Sequence, residues 1–327
     1  MRVLVTGGAG YVGSVSVERL VEAGHEVTVL DSLVTGHRRA VPAGVEFVAG
    51  SVGDRAIVGL LLRRRAIEAV LHCAARSLVA ESVREPALYE RENVVAGEAL
   101  LAGLGDASVH RFVFSSSAAV YGMPQQVPIT EDAPLRPINP YGDTKRRFEV
   151  ALERAAAGAA MRAVTLRYFN VAGASAANGE DHDPETHLIP TLLGAVESGQ
   201  PMTVFGDDYP TPDGTAVRDY VHVADLADAH LAALELTAGV DPGLLALNLG
   251  SGSGFSVREV LSAADAVFGR PVPHVVGPRR EGDPPALVAS NQLAREALGW
   301  SPRRGTLVEM IGSAWAWRQR HPSGYEG

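Results

Sequence analysis

The sequence predicts an α/β protein: a doubly wound parallel sheet followed by a smaller mixed α/β domain. Three observations carry this. Short apolar, β-branched runs alternate with helix-period segments through the first half of the 327 residues, as in a parallel sheet covered on both faces. The first run ends in a glycine-rich turn that opens a helix. After Tyr168 the alternation gives way to long stretches rich in Gly, Pro, Asp and Asn.

The elements follow in order. Val3–Val5 is a strand ending at Gly7 and Gly8. Gly13, Val17, Leu20 and Val21 then repeat at helical spacing, and Gly24 stops the helix. Val27–Leu30 is a strand closed by Asp31. Strands at Val45–Val48, Ala69–His72, Arg111–Ser115 and Val164–Tyr168 alternate with helices at Asp54–Arg65, Tyr89–Gly103 and Tyr141–Ala157. Residues 171–187 and 206–216 read as loops. Helical patterns return at Leu188–Ser198, Val223–Leu236, Ser256–Phe268, Asn291–Leu298 and Leu307–Arg318, with Ser256 and Glu259 spaced for a capping box. The division expected is a nucleotide-binding domain over residues 1–170 and a second domain over 171–327, some of whose segments return to the sheet.

Composition excludes several functions. The chain has 29 Lys and Arg against 38 Asp and Glu, a formal charge of −9. Such a surface repels polyanions, so neither nucleic acid nor an anionic membrane is an expected partner. The single Cys73 has no disulfide partner within the chain and fits a reducing compartment. No apolar run reaches the ~18 residues of a membrane span, and no signal peptide precedes the first strand. A cytoplasmic location is expected. The ten His are scattered, and their spacing predicts no metal site. His72 and Cys73 are expected to pack near a bound cofactor, and His222 to be structural.

The turn Thr6–Gly13 spaces Gly7, Gly10 and Gly13 as G-x-x-G-x-x-G between strand and helix. Glycine lets the backbone approach a pyrophosphate, and the helix N-terminus offers free N–H groups. The sheet is therefore of the Rossmann type. Asp31 ends the second strand, where a carboxylate accepts ribose hydroxyls and repels a 2′-phosphate. This favours NAD over NADP. Ser115–Ser117 tips a strand with hydroxyls, at the sheet end that faces ligands. Tyr141 and Lys145 lie four apart on one helix and share a face. A free Tyr is too weakly acidic to be a base at neutral pH. A nearby cation favours its phenolate and makes it a usable general base.

Further runs carry a resemblance. Ser115–Gly122 (SSSAAVYG), Pro140-Tyr141-Gly142 with Lys145, Leu166–Asn170 (LRYFN), Phe205–Gly214 (FGDDYPTPDG), Val217–Val223 (VRDYVHV) and Arg279–Asp283 (RREGD) resemble the UDP-glucose 4-epimerases of the extended short-chain dehydrogenase/reductase family. The resemblance covers nearly the whole chain. It implies an isomerase that passes a hydride from sugar C4 to NAD and back to the opposite face, through a 4-keto sugar tethered to UDP. Tyr141 would be the base, Lys145 would bind the nicotinamide ribose and lower the Tyr pKa, and Ser117 would hydrogen-bond the 4-oxygen. By the same resemblance NAD would meet Gly7, Gly10, Tyr11, Val12 and Gly13 of the loop, and Asp31, Ser32, Ser51 and Val52 beyond it. Cys73, Ala74, Ala75, Asn93, Ser115 and Tyr168 would complete the cofactor side, with Asn93 also readable as a buried helix-to-backbone link. The UDP-sugar would meet Ser117, Ala118, Ala119, Phe169, Asn170, His187, Leu188, Thr203, Phe205 and Leu287. Arg218 and Arg280 would grip its diphosphate and Asp283 its ribose. A homodimer through the helices at 89–103 and 141–157 is implied as well.

Some positions depart from the family pattern. Ser51 replaces an Asp at the adenine, Ser77 a Lys near the pyrophosphate, His187 an Asn, and Leu287 a Tyr at the sugar gate. The smaller Leu287 leaves N-acetylhexosamines open, and a UDP-pentose is a further alternative. Between Tyr168 and Val217 there is no Lys or Arg, which argues against a uronate, although Arg76 keeps that reading open. A 4,6-dehydratase would need acid–base groups after Ser117, where Ala118, Ala119 and Val120 stand. A non-catalytic NAD sensor would not need the Tyr–Lys pair.

Overall fold

The computed structural model describes residues 1–159, 161–280 and 282–326, and not the side chains of Ala159 and Glu326. Seven strands form the central sheet: β1 (Arg2–Thr6), β2 (Glu26–Asp31), β3 (Glu46–Ala49), β4 (Ala69–His72), β5 (Arg111–Ser117), β6 (Arg162–Tyr168) and β7 (Gly243–Leu249). They pair in the order 7-6-5-4-1-2-3, every pair parallel. Successive residues point to opposite faces, so each strand feeds two cores. Val3 and Val5 pack with Val17, Leu20 and Leu226 on one face. Leu4 packs with Val58, Leu100 and Phe148 on the other. This two-sided burial is why the strands read as continuous apolar runs.

β7 lies beyond residue 170 and extends the sheet beside β6 from Gly243↔Arg162 to Leu249↔Tyr168. The helix Val223–Leu236 leads into it and packs on the first helix, Tyr11–Glu22, through Val15, Val223 and Ala227. Val21 was expected on the buried face of that first helix but is exposed, because Val15, Val17 and Leu20 fill the contact. A separate core of Ile189, Leu192, Val196, Val204, Val260, Met310 and Ile311 holds the second half together. There Met202–Phe205 pairs with His274–Gly277, and Asn170–Ala172 with Tyr220–His222. No helix among the described residues is long and apolar enough to cross a membrane.

Two local differences from the sequence reading shape the site. β5 continues past Ser115, since its register with β6 runs on to Ser117↔Tyr168. All three serines therefore have fixed directions. The helix expected at Tyr89–Gly103 is divided into Pro86–Tyr89, a π-helical turn Glu90–Val95 and a helix Ala96–Asp106. The wider π turn, a common device at functional sites, carries the buried Asn93; a 3.6-residue pattern cannot reveal it. The helix bearing Tyr141 and Lys145 starts at Pro140, where the Asn139 carboxamide accepts from the Gly142 N–H at 2.8 Å. The capping box at Ser256 and Glu259 is present.

Candidate active site

The site forms where the sheet order reverses between β1 and β4, the crevice in which open α/β sheets take ligands. Gly7 has φ +73°, and a Cβ there would stand 2.4 Å from the Ala74 nitrogen. A Cβ on Gly13 would stand 2.0 Å from the Gly7 carbonyl oxygen. Both therefore must be glycine for the turn to close. The helix that follows has no side-chain cap and no acid in its first turn. Its N–H groups at Tyr11, Val12 and Gly13 are thus left without a side-chain acceptor, as an anion site at a helix N-terminus requires.

Asp31 accepts from the Ala9 N–H through Oδ2 at 3.0 Å and from the Leu33 N–H through Oδ1 at 2.8 Å. The loop and the carboxylate are thus built as one unit, and each oxygen keeps a lone pair for a ribose hydroxyl. Ser32 and Ser51 are exposed beside it, and Val52 is buried in the adjoining core. The Ser51 hydroxyl accepts from the Gly53 N–H at 3.1 Å. The Tyr11 phenol donates to the Gly173 carbonyl at 2.5 Å, so its hydroxyl ties the loop to the second half.

Ser115, Tyr141 and Lys145 converge at the end of β5. The Lys145 ammonium is buried, donates to the Ser115 carbonyl at 2.8 Å and lies 5.8 Å from the Tyr141 ring centre. Burial lowers its pKa to about 8. Burial raises the Tyr141 pKa, against which the hydrogen-bonded Ser117 hydroxyl pulls downward. The sequence reading expects Lys145 to lower the Tyr141 pKa. In the chain alone burial of the phenol dominates, and the ammonium bonds to a backbone carbonyl instead. The Ser117 oxygen also accepts from the Ala119 N–H at 3.2 Å, which fixes it at the strand tip.

A pH-dependent stability follows from Lys145. In NAD-free protein the folded state releases the Lys145 proton near pH 8, whereas the unfolded chain holds it to about 10.5. Between these values the unfolded state binds more protons, so this group's contribution to stability rises with pH. Lys145→Met removes the buried charge. The variant gains on wild type at pH 7, and the gap narrows by roughly 2–3 kcal/mol between pH 8 and 10.5. Urea titrations of both proteins across that range measure it.

The remaining cofactor-side residues fall into two groups. Cys73 contacts the Ser115 hydroxyl at 3.2 Å, and the same hydroxyl meets His230 Nε2 at 2.7 Å. Burial pushes the Cys73 thiol up to about 11, and Tyr168 is raised well above its ordinary value for the same reason. Ala74 and Ala75 carry the chain past Gly7. His72 packs on Phe114 and bonds the Thr6 hydroxyl at 2.7 Å. Asn93 accepts from the Arg76 N–H at 2.8 Å and donates to the Arg76 carbonyl at 3.0 Å and to Thr144 at 3.1 Å. Its amide is the buried link between helix and loop. It holds the Arg76 peptide rather than offering free polar atoms of its own.

On the substrate side, Phe169 packs with Ala118, Val120 and Leu287, while Ala119 and Asn170 flank them. The Asn170 N–H donates to the Asp219 carbonyl at 2.9 Å. Thr203 lies in the strand paired with His274–Gly277. The Arg280 guanidinium sits 4.0 Å over the Phe205 ring. Arg218 pairs with Asp283 at 2.5 Å, so the two residues expected on diphosphate and ribose meet each other. Arg76 pairs with Glu81 at 3.3 Å, which occupies the cation considered for a uronate. His222 caps the helix Val223–Leu236 and bonds Ser313. Its role is structural.

His187 and Leu188 open the helix Leu188–Ser198. His187 Nδ1 lies 2.8 Å from Glu180 and 3.0 Å from Glu185. Burial opposes its charge, but the two carboxylates outweigh burial and raise it to about 10. The sequence reading, which looked for regular His spacing, missed that Glu180, His182, Glu185 and His187 converge. It also missed a buried pair. Glu149 accepts from Ser116 at 2.7 Å and from Arg167 at 3.0 and 2.8 Å, and Arg167 donates to Tyr121 at 3.0 Å. The available signal was Arg167 inside the otherwise apolar run Val164–Tyr168; Glu149 is one of many charges on its helix and gave none.

With this geometry in place, comparison with known proteins is decisive for the family. Residues 3–250 match the NAD dependent epimerase/dehydratase family. The chain belongs to that family. It is 50% identical over 329 residues to a UDP-glucose 4-epimerase of Lactobacillus helveticus, covering 100% of this chain and 99% of that one. Among solved structures it is similar to a crystal structure of UDP-glucose 4-epimerase, with TM-score 0.96, 44% identity and 100% of both chains covered. It is similar also to a UDP-glucose 4-epimerase from Brucella ovis in complex with NAD, with TM-score 0.93, 44% identity, and 96% of this chain and 97% of that one covered. The parallel sheet, the glycine cradle and Asp31 fit the cofactor in the family's description.

Proposed function

We propose that this chain is an isomerase, an NAD-dependent 4-epimerase that interconverts UDP-glucose and UDP-galactose. The observation that carries the reading is the Tyr141 phenol buried against Ser117, with Lys145 one helical turn away, at the sheet end beside the glycine cradle. NAD⁺, held by the glycine cradle and Asp31, would supply the hydride acceptor and later the donor for sugar C4. Tyr141 takes the proton of the 4-hydroxyl as its phenolate and returns it. Ser117 holds the 4-oxygen in line with that phenol, and Lys145 favours the phenolate through its charge. Asp31 holds the adenosine ribose. Gly7, Gly10 and Gly13 clear the path of the pyrophosphate.

Retention of the ketone intermediate needs a tight grip on the nucleotide and a loose one on the hexose. Arg280, stacked on Phe205, and Arg218 supply the grip, since a guanidinium fork matches diphosphate oxygens. Asp283 leaves Arg218 for the uridine ribose when the nucleotide enters. Phe169, Ala118 and Leu287, which pack together and bear no charge, would face the sugar, and this supports a neutral hexose. Val95 stands exposed at the end of the π turn, which supports a homodimer through the helices at 89–103 and 141–157. The unpaired Cys73 fits a cytoplasmic location.

The test is proton NMR of the anomeric region with UDP-galactose and no added NAD. UDP-glucose appearing, and the same ratio being reached from either sugar, is the expected result. Turnover confined to UDP-N-acetylgalactosamine or UDP-glucuronate would keep the chemistry and overturn the hexose assignment. No turnover with any of these, with NAD⁺ added, would overturn the reading itself.

A further inference from the structure

The segment Glu180–His187 brings four potential ligand atoms together: a carboxylate oxygen each from Glu180 and Glu185, and the Nδ1 atoms of His182 and His187, all within 4.8 Å of one another. His187 Nδ1 lies 2.8 Å from Glu180 Oε1 and 3.0 Å from Glu185 Oε1, and His182 Nδ1 lies 3.2 Å from Glu180 Oε1 and 3.9 Å from Glu185 Oε2. A tetrahedral ion with bonds of about 2.0–2.1 Å keeps its ligands about 3.3–3.4 Å apart. The observed separations bracket that value.

The same groups converge in their hydrogen bonds. A ring Nδ1 carries at most one proton. His187 Nδ1 faces two carboxylates at hydrogen-bonding distance, and Glu180 Oε1 faces two imidazoles. The Thr186 and His187 N–H groups also donate to Glu185 Oε1, so the donors converge on two carboxylate oxygens. Both rings turn the same nitrogen inward, although they enter from different turns of the loop. The Glu180 side chain is 8% exposed, that of His182 19%, of Glu185 22% and of His187 40%, so the cluster is sheltered at Glu180 and opens to solvent at His187.

The surroundings hold the ligands in place. The Thr186 and His187 N–H groups both donate to Glu185 Oε1 at 2.6 Å. They orient the carboxylate and leave Oε2 turned toward His182. The Tyr11 ring packs edge-on against His182, with centroids 6.5 Å apart. The donor set thus sits at the junction of the glycine-loop helix and the helix opened by His187.

We propose that Glu180, His182, Glu185 and His187 form a structural binding site for a zinc-class divalent cation. Two imidazoles and two carboxylates neutralise a doubly charged ion and suit zinc rather than magnesium or calcium, which take oxygen shells. Four protein ligands close the shell, so the ion does no Lewis-acid work. It clips the loop to the helix and fixes His187 with its Nε2 directed away from the ion. This runs against the sequence expectation of no metal site, and it stands whichever UDP-sugar is the substrate.

The experiment uses the full chain, freed of metal with dipicolinate and then titrated with Co²⁺ and with Zn²⁺. One equivalent of Co²⁺ should give visible absorption of tetrahedral intensity, displaced stoichiometrically by Zn²⁺. His182→Ala and Glu185→Gln should each weaken Zn²⁺ binding at least a hundredfold. Glu185→Gln keeps an oxygen for the two backbone N–H groups and so guards against loss through misfolding, which circular dichroism checks. Wild-type protein that takes up no ion at micromolar concentration overturns the proposal. So does uptake with an unchanged spectrum and affinity in both variants.

Discussion

Tyr141→Phe lowers kcat by about a hundredfold to ten-thousandfold, the range for losing a positioned acid–base group, while the fold, the bound dinucleotide and KM stay close to wild type. The substitution removes one oxygen and keeps the ring that packs edge-on against Tyr89 at 6.5 Å. Ser117 keeps its contact with the Ala119 N–H, so the strand tip does not collapse into the gap. What disappears is the phenol oxygen proposed to accept the 4-hydroxyl proton. Burial raises the Tyr141 pKa, so a larger share of the reaction barrier rests on the charges that favour its phenolate. Ser117→Ala removes the single hydrogen bond that pulls the phenol downward and should shift the acidic limb of the kcat profile to higher pH. NMR conversion rates from pH 6 to 9, with the retained dinucleotide measured by absorbance after denaturation, check both variants. A Tyr141→Phe enzyme within a few-fold of wild type would remove Tyr141 from the mechanism.

The parts of this site legible in the sequence were those fixed by local backbone demands. Gly7 and Gly13 must be glycine because Ala74 and the Gly7 carbonyl occupy the space of a Cβ, and their spacing announces the turn. Asp31 could be placed because a strand end is easy to find. Tyr141 and Lys145 followed from helical periodicity, which survives any tertiary arrangement. Less legible were contacts between distant segments. β7 is only seven residues long and sits amid helices, so nothing local tied it to β6. The π turn at Glu90–Val95 changes the phase of its helix by one residue, and no periodic pattern records that. Asn93 was named from resemblance, yet its meaning, a clamp on the Arg76 peptide, lies in a loop 17 residues away. The Glu180–His187 ligands escaped because they lie on an irregular loop, where spacing has no fixed translation into geometry.

Arg167→Met should destabilise the protein by about 3–5 kcal/mol, the cost of leaving a buried charge without its partner. The reason lies behind the catalytic strand. Glu149 is fully buried and Arg167 nearly so, joined by two hydrogen bonds of 3.0 and 2.8 Å. Arg146, at 3.5 Å and partly exposed, and Lys145, whose ammonium bonds to the Ser115 carbonyl, do not replace a bidentate fork. Glu149 lies one helical turn after Lys145, and its Oε1 also holds the Ser116 hydroxyl between the two serines that line the site. Arg167 reaches on to Tyr121, whose hydroxyl donates to Asn248 of β7 at 2.7 Å. The pair therefore ties the helix of Tyr141 and Lys145 to β5, β6 and β7 at the end where chemistry occurs. Glu149→Leu combined with Arg167→Met replaces both charges by apolar volume and should recover most of the lost stability, because no uncompensated ion remains. Activity should not recover with it, since Ser116 and Tyr121 lose the bonds that hold the strand tip. Urea unfolding and NMR turnover on the single and double variants separate the two effects. A double variant that regains wild-type rate would mean that the ion pair stabilises the scaffold without positioning Ser117 and Tyr141.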